Sequence, residues 1–270
     1  MKIGFVQFEP LFGDVDGNLE RVGELIRKSD ADILVLPELF NTGYVFRSRE
    51  EVDSLAEQVP EGKTTRVLCD MARDKGVFIV GGLAEKDGQQ IFNGSVLVSP
   101  EGYVGRYRKI HLFFEEKLWF DPGDEEFRVY DIGICTVGIM VCFDWFFPES
   151  MRVLALKGAD LICHPANLVL PFCQESMKTR CLENHVFAVT ANRIGTEARG
   201  DQSLRFTGMS QITGPDGSIL SRGGDDSEEV QTMEIDPAAA RDKSINDYNN
   251  LFADRRPGFY GDLAGKKTKG

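Results

Sequence analysis

Short, apolar, β-branched runs alternate with longer amphipathic stretches along this chain, and that alternation limits the possible folds more than any other feature. Such runs occupy residues 2–8, 32–36, 77–81, 95–99, 127–130, 135–141, 160–163, 186–191 and 209–213. Most are apolar at both odd and even positions, which predicts strands covered on both faces. Boundary residues mark helices between them. Asn18 is placed to cap a helix over residues 18–29, and Thr64 or Thr65 starts one that Gly76 closes. Pro148 opens a third, ended by Gly158, and residues 174–184 form a fourth. Hairpin turns at Lys86-Asp87-Gly88 and Gly214-Pro215-Asp216-Gly217 add antiparallel pairs. The expected class is α/β, with mixed sheets and outer helices. No repeat or composition shift marks a boundary, so one domain is expected over residues 1–254. An arm follows over 255–270, with Lys266, Lys267 and Lys269 as a solvated tail.

The charge balance excludes several functions. A net charge of −12 gives no basic face for phosphate neutralisation, so nucleic acid is not an expected partner. No run approaches the roughly 20 apolar residues of a membrane span, and the N-terminus enters a strand pattern at once, which points to a cytoplasmic protein. The six cysteines form no CxxC pair and no zinc-type Cys/His spacing, so neither a disulfide framework nor a metal site is expected.

Three of the apolar runs end abruptly in residues that carry chemistry. DILVLPELF delivers Glu38 after Pro37, CTVGIMVCFD delivers Cys142, and ADLICHPAN delivers His164 and Asn167. Ligands in layered α/β proteins bind at the carboxyl ends of strands, so an acid and a thiol delivered this way could face each other. Glu38, if buried, would have a raised pKa and serve as a proton carrier. The helix start at Pro148 would favour a Cys142 thiolate. Lys109, after a strand over residues 103–107, could hold developing negative charge on a carbonyl oxygen. Each residue taken singly has a plain structural reading as well: Glu38 as a rim carboxylate, Cys142 as core, Lys109 as a solvated charge. A Cys142–His164 pair is the alternative base arrangement, whereas His185 reads as structural.

The order PELFNTGY, YRKIHLF, VCFDWFFPE resembles the nitrilase (carbon-nitrogen hydrolase) superfamily, with the similarity running from FVQFEP to the strand before Asp236. The resemblance implies a four-layer α-β-β-α sandwich that dimerises, with neither metal nor organic cofactor. It also implies Glu38 as general base, Lys109 as oxyanion cation, Cys142 as nucleophile and the Phe143 backbone N–H as second oxyanion donor. A second family glutamate falls at Glu116, with Glu115 as the alternative.

The substrate implied is a small, aliphatic linear amide, cleaved to acid and ammonia through a thioester. N-carbamoyl compounds and nitriles are the alternatives, and a non-catalytic binding protein of the same fold is the remote one. Tyr44, Phe113, Trp145, Phe146 and Asn167 are substrate-binding candidates. Phe114 and Trp119 are further aromatic neighbours of the motifs, and Arg180 or Arg193 could supply a cation for a carboxylate-bearing substrate.

Overall fold

The computed structural model describes residues 1–265 of the chain; residues 266–270, which hold the expected lysine tail, lie outside the described residues. Two six-stranded mixed sheets are built on one plan. The first sheet contains β1 (Lys2–Gln7), β2 (Ile33–Val35), β3 (Phe78–Asp87), β4 (Gln90–Ser99) and β5 (Gly102–Arg108). The second contains β6 (Val129–Asp131), β7 (Thr136–Ile139), β8 (Leu161–Ala166) and β9 (Phe187–Asn192). A separate hairpin, β10 (Thr196–Arg199) and β11 (Gln202–Arg205), precedes β12 (Gln211–Thr213) and β13 (Ile219–Arg222) of the second sheet, and β14 (Glu229–Glu234) returns to the first.

Within each sheet three central strands run parallel, β1-β2-β3 in one and β7-β8-β9 in the other, and antiparallel strands flank them. Because β3, β4 and β5 are successively antiparallel, β5 points the same way as β2 and β3. The carboxyl ends of β2 and β5 therefore lie at one edge of their sheet.

Residue-by-residue alternation explains why the strands are apolar on both faces. Ile33 and Val35 belong to the core between the two sheets, with Val137, Ile139, Leu161 and Val189. Leu34 and Leu36 face the other way, into a second core under the helices α1 (Val15–Arg27) and α3 (Lys63–Lys75). Helices α5 (Pro148–Leu156) and α6 (Cys173–Asn184) cover the second sheet, where Leu154, Met151, Met177 and Cys181 are buried. The layers are thus helix, sheet, sheet, helix. Two short helices, α2 (Arg49–Leu55) and α4 (Glu116–Trp119), belong to the loops after β2 and β5.

Most of the expected elements form, with boundaries moved by local chemistry. Asp14, not Asn18, caps α1 by accepting from the Gly17 N–H at 3.0 Å. Asn18 lies buried inside the helix, where its side chain donates to the Leu11 and Asn41 carbonyls. Gly76 takes the left-handed C-cap conformation at φ 69°, as the sequence predicts. Both hairpin turns join antiparallel neighbours. Residues 255–265 form two short 3-10 turns, Pro257–Phe259 and Gly261–Ala264, that leave Phe259 and Leu263 exposed.

The packing gives a direct test. Leu34→Ala should lower unfolding free energy in denaturant by about 2–5 kcal/mol, the range for emptying a fully buried leucine site. Leu11→Ala, at a site 62% exposed, should change it by less than about 0.5 kcal/mol.

Candidate active site

Pro37 ends β2 and lets the chain turn back over β3, carrying Glu38 into the protein, where it is fully buried. The turn rests directly on Gly82, whose place no larger residue could take: a Cβ there would lie 2.5 Å from the Glu38 Cα. Lys109 follows β5 immediately and is also fully buried, its N–H bonded to the Asn93 carbonyl at 2.8 Å. Its ammonium donates to Glu38 Oε1 at 2.6 Å and to the Glu116 carboxylate at 2.8 Å.

Each carboxylate has further donors. Asn93 Nδ2 reaches Glu38 Oε1 at 2.7 Å, whereas Tyr44 Oη and the Phe113 N–H reach Glu116 at 2.6 and 3.1 Å. Glu38 Oε2 is buried with no partner among the described residues.

Burial pushes the Glu38 pKa up, with repulsion from Glu116 adding to it and the Lys109 charge opposing it. Burial alone would lower the Lys109 pKa, but Glu116 and Glu38 together outweigh it, so the ammonium is held well above its ordinary range. The Tyr44 phenol is pushed up by burial and then by Glu116, so it stays a donor.

Cys142 lies three residues past the end of β7, in the left-handed region at φ 41° and only 5% exposed. Its thiol is pushed well above its usual range, first by burial and then by Glu38; the Lys109 charge and the Asn167 backbone N–H act in the opposite direction. The expectation of a thiolate stabilised by a helix start is therefore wrong. Cys142 begins a 3-10 turn, Cys142–Phe146, and α5 starts only at Pro148, so burial decides.

Asp144 fixes this turn against the Lys109 segment. Its buried carboxylate accepts from the Val141 N–H at 2.9 Å, Tyr107 Oη at 2.8 Å and the His111 N–H at 3.2 Å, and it contacts His111 Nδ1 at 2.7 Å. His164, the alternative base, is aimed elsewhere. Its Nε2 meets the Cys142 carbonyl at 2.9 Å and its Nδ1 meets Thr190 Oγ1 at 3.1 Å, and burial lowers its pKa to about 4. The carbonyl is an acceptor only, so Nε2 carries the proton and the ring is neutral.

The family profile described as carbon-nitrogen hydrolase matches residues 2–243. A protein of Pyrococcus abyssi named nitrilase is 51% identical over 263 residues, covering 96% of this chain and 99% of its own. An (R)-stereoselective amidase of a Pseudomonas species is 35% identical over 262 residues, covering 95% and 92%. Among solved structures, a variant of the amidase from Nesterenkonia sp. AN1, with acrylamide added at its active-site cysteine, superimposes with a TM-score of 0.81 at 26% identity, covering 97% and 99%. The chain belongs to the carbon-nitrogen hydrolase family.

This carbon-nitrogen hydrolase has two cavities beside the buried cluster. A small one of about 20 Å³ is lined by Cys142 with Phe113, Phe143, Trp145 and Asn167. A larger one of about 390 Å³ shares Phe113 and is lined by Tyr44, Glu116 and a ring of apolar side chains that includes Phe46, Trp119 and Leu204. Phe114 also lines it. Glu115 lies on its wall hydrogen-bonded to Gln202 on the hairpin, so Glu116 is the glutamate on Lys109.

Phe146 does not join the site. In a 3-10 turn residues three apart share a side: Trp145 turns inward with Cys142, while Phe146 is 50% exposed and lines neither cavity. Neither candidate arginine is free for a substrate carboxylate. Arg193 is buried against Glu197 at 2.6 Å and lies over the Phe206 ring; Arg180 is held by the Trp145 carbonyl and Glu183.

Asn93, Asp144 and the hairpin 196–205 are absent from the sequence reading. Asn93 in IFNGSVLV and Asp144 in VCFDWFF do carry a signal: polar groups inside apolar runs must find buried partners. Among the described residues no group of three or more His, Cys, Asp or Glu is arranged to hold a metal ion.

Asp144→Asn replaces one acceptor oxygen with a donor facing buried donors. It should lower unfolding free energy by about 1–3 kcal/mol per donor left unsatisfied, measured by denaturant titration. Unchanged stability would remove Asp144 as the link between the two segments.

Proposed function

We propose that this protein hydrolyses the carbon-nitrogen bond of a small, uncharged amide, of aliphatic type, through a thioester on Cys142. The single observation that carries this reading is a fully buried Lys109 held by two glutamates beside a buried thiol. A site of that kind supplies a base, an oxyanion donor and a nucleophile without histidine or metal. One domain over residues 1–254 and an arm over 255–270 are part of the same proposal.

The cycle starts from a neutral thiol, whose proton affinity burial and then Glu38 push up, and from Glu38 as the carboxylate that accepts from Lys109 and Asn93. The thiol proton therefore moves to Glu38 only as the Cys142 sulfur bonds the amide carbon. Glu38 Oε2 is the proton acceptor, since Oε1 is already engaged by Lys109 and Asn93. An ammonium has three donors, and two of those on Lys109 are used by Glu38 and Glu116. The third, with the Phe143 N–H, receives the oxyanion.

As the carbon-nitrogen bond breaks, Glu38 returns its proton to the leaving nitrogen and ammonia departs. Glu38 then takes a proton from water as that water attacks the thioester. The acid is released, and the proton goes back to the Cys142 sulfur.

An apolar wall, lined by no arginine among the described residues and with Arg193 and Arg180 paired elsewhere, favours an uncharged acyl group over a carboxylate-bearing one. A homodimer is proposed on the exposed apolar side chains of α5, α6 and their flanks, Leu156, Leu182 and Phe172, with Phe146 beside them. A monomeric mass at micromolar concentration would contradict it.

Ammonia release from matched amides, carbamoyl amines and nitriles tests the chemistry. Cys142→Ala should abolish it and also remove the acyl mass shift that turnover places on this residue. Retained activity would overturn the nucleophile. The pH profile tests the base: Glu38 must be unprotonated, and burial raises its pKa above the ordinary value of 4.5, so kcat/KM should fall as pH drops through a value above 4.5. Glu38→Gln should abolish that limb together with most of the activity. A limb at or below 4.5 would assign the base elsewhere.

A further inference from the structure

Two buried acceptors beside the nucleophile have no donor among the described residues: Glu38 Oε2 and Asn167 Oδ1. Asn167 follows β8 and is 3% exposed, and it lines the same small cavity as Cys142, Phe143 and Trp145. Its side chain is fixed by Nδ2, which donates to the Glu38 backbone carbonyl at 2.8 Å. Because a carbonyl only accepts, the atom bonded to it is the nitrogen, and Oδ1 is left as the acceptor.

A buried acceptor without a donor costs free energy, and a site that keeps two of them is suited to a ligand that brings N–H groups. Donors are already provided for the substrate oxygen, by Lys109 and the turn at Phe143. The complementary partners for the two acceptors are the two hydrogens of a primary amide or carbamoyl nitrogen.

We propose that Asn167 Oδ1 accepts one N–H of the scissile –CO–NH2 group while Glu38 Oε2 takes the other, so that the pair orients the leaving nitrogen and selects primary amides and carbamoyl compounds over nitriles. A nitrile nitrogen carries a lone pair and no hydrogen. It leaves Asn167 Oδ1 without a donor and brings a further acceptor toward it. An ester of the same acid forms the same acyl thioester, the sulfur-carbon bond replacing the carbon-oxygen bond and the alcohol taking the proton from Glu38, but it too has no N–H to offer. This inference rests on the amide-hydrolase reading and names the group that gives it substrate preference.

The test compares propionamide, methyl propionate and propionitrile on the wild-type protein and on Asn167→Leu and Asn167→Ala. In both variants kcat/KM for propionamide should fall about tenfold further than kcat/KM for methyl propionate, the difference that one neutral hydrogen bond to the leaving nitrogen makes. Ester turnover, with its acyl mass on Cys142, also reports that the variant is folded. Equal losses on amide and ester, or no loss on the amide, would overturn the role of Asn167. In Cys142→Ala, which leaves Asn167 intact, propionamide should bind about tenfold more tightly than propionitrile. Equal binding, or tighter nitrile binding, would overturn the proposal whether or not the Asn167 variants fold. If the wild-type protein releases no ammonia from propionamide or any other amide or carbamoyl compound, the amide-hydrolase reading fails and this inference with it. If ammonia is released and the Asn167 variants lose amide and ester activity alike, the inference alone fails.

Discussion

An ammonium with no access to water sits between two carboxylates, and the site depends on that one arrangement. Burial alone would lower the Lys109 pKa and raise that of Glu38, and the ion pair between them opposes both changes. Their mutual neutralisation is incomplete, because two carboxylates share one ammonium. The remainder is partly compensated by Asn93, Tyr44 and the Phe113 N–H. Burial raises the proton affinity of Glu38, and repulsion from the second carboxylate, Glu116, adds to it. On the proposed mechanism, the carboxylate that helps to keep the lysine charged is also the one that receives the proton of the buried thiol.

Holding such a cluster demands precise backbone placement, and the two sheets supply it from strand ends. Glu38 comes from β2, Lys109 from β5, Cys142 from the end of β7 and Asn167 from β8, all at carboxyl ends. Specific contacts then remove the remaining freedom. Gly82 allows the Glu38 turn to lie directly on β3, and Asp144 joins the Cys142 turn to the chain following Lys109. His164 holds the Cys142 carbonyl, and the left-handed backbone at Cys142 is the strained element that these bonds maintain.

The strand ends were legible in the sequence because an apolar run that stops at an acid, a thiol or an asparagine leaves that residue at the edge of a sheet. Side-chain direction was not. Phe146 and Trp145 are adjacent in the chain, and only the 3-10 geometry turns one inward and the other out. Arg180 and Arg193 offered charge without a sign of the acids that pair with them. The thiol's protonation was misjudged because residue order placed a helix start nearby, whereas burial depends on both sheets closing over the cysteine. The hairpin TEARGDQSLR was invisible because its residues are polar and alternate without an apolar face. Glu116 and Glu115 are neighbours in HLFFEEKLW, and only the short helix α4 turns one to Lys109 and the other to Gln202.

The larger cavity connects this electrostatic arrangement to substrate size. Glu116 and Tyr44 form part of its wall, so whatever fills it lies against groups that hold Lys109. An apolar acyl chain placed there would displace water from that wall and lower the local dielectric around the ion cluster. Interactions between charges strengthen as the dielectric falls, so the hold of Lys109 on a developing oxyanion would strengthen with it. A charged chain would bring its own hydration and meet Glu115 on the same wall, with Arg193 and Arg180 already committed elsewhere. On the proposed mechanism, the preference for an uncharged acyl group and the strength of the oxyanion site therefore have one cause: the exclusion of water from the side of the cluster that the substrate itself covers.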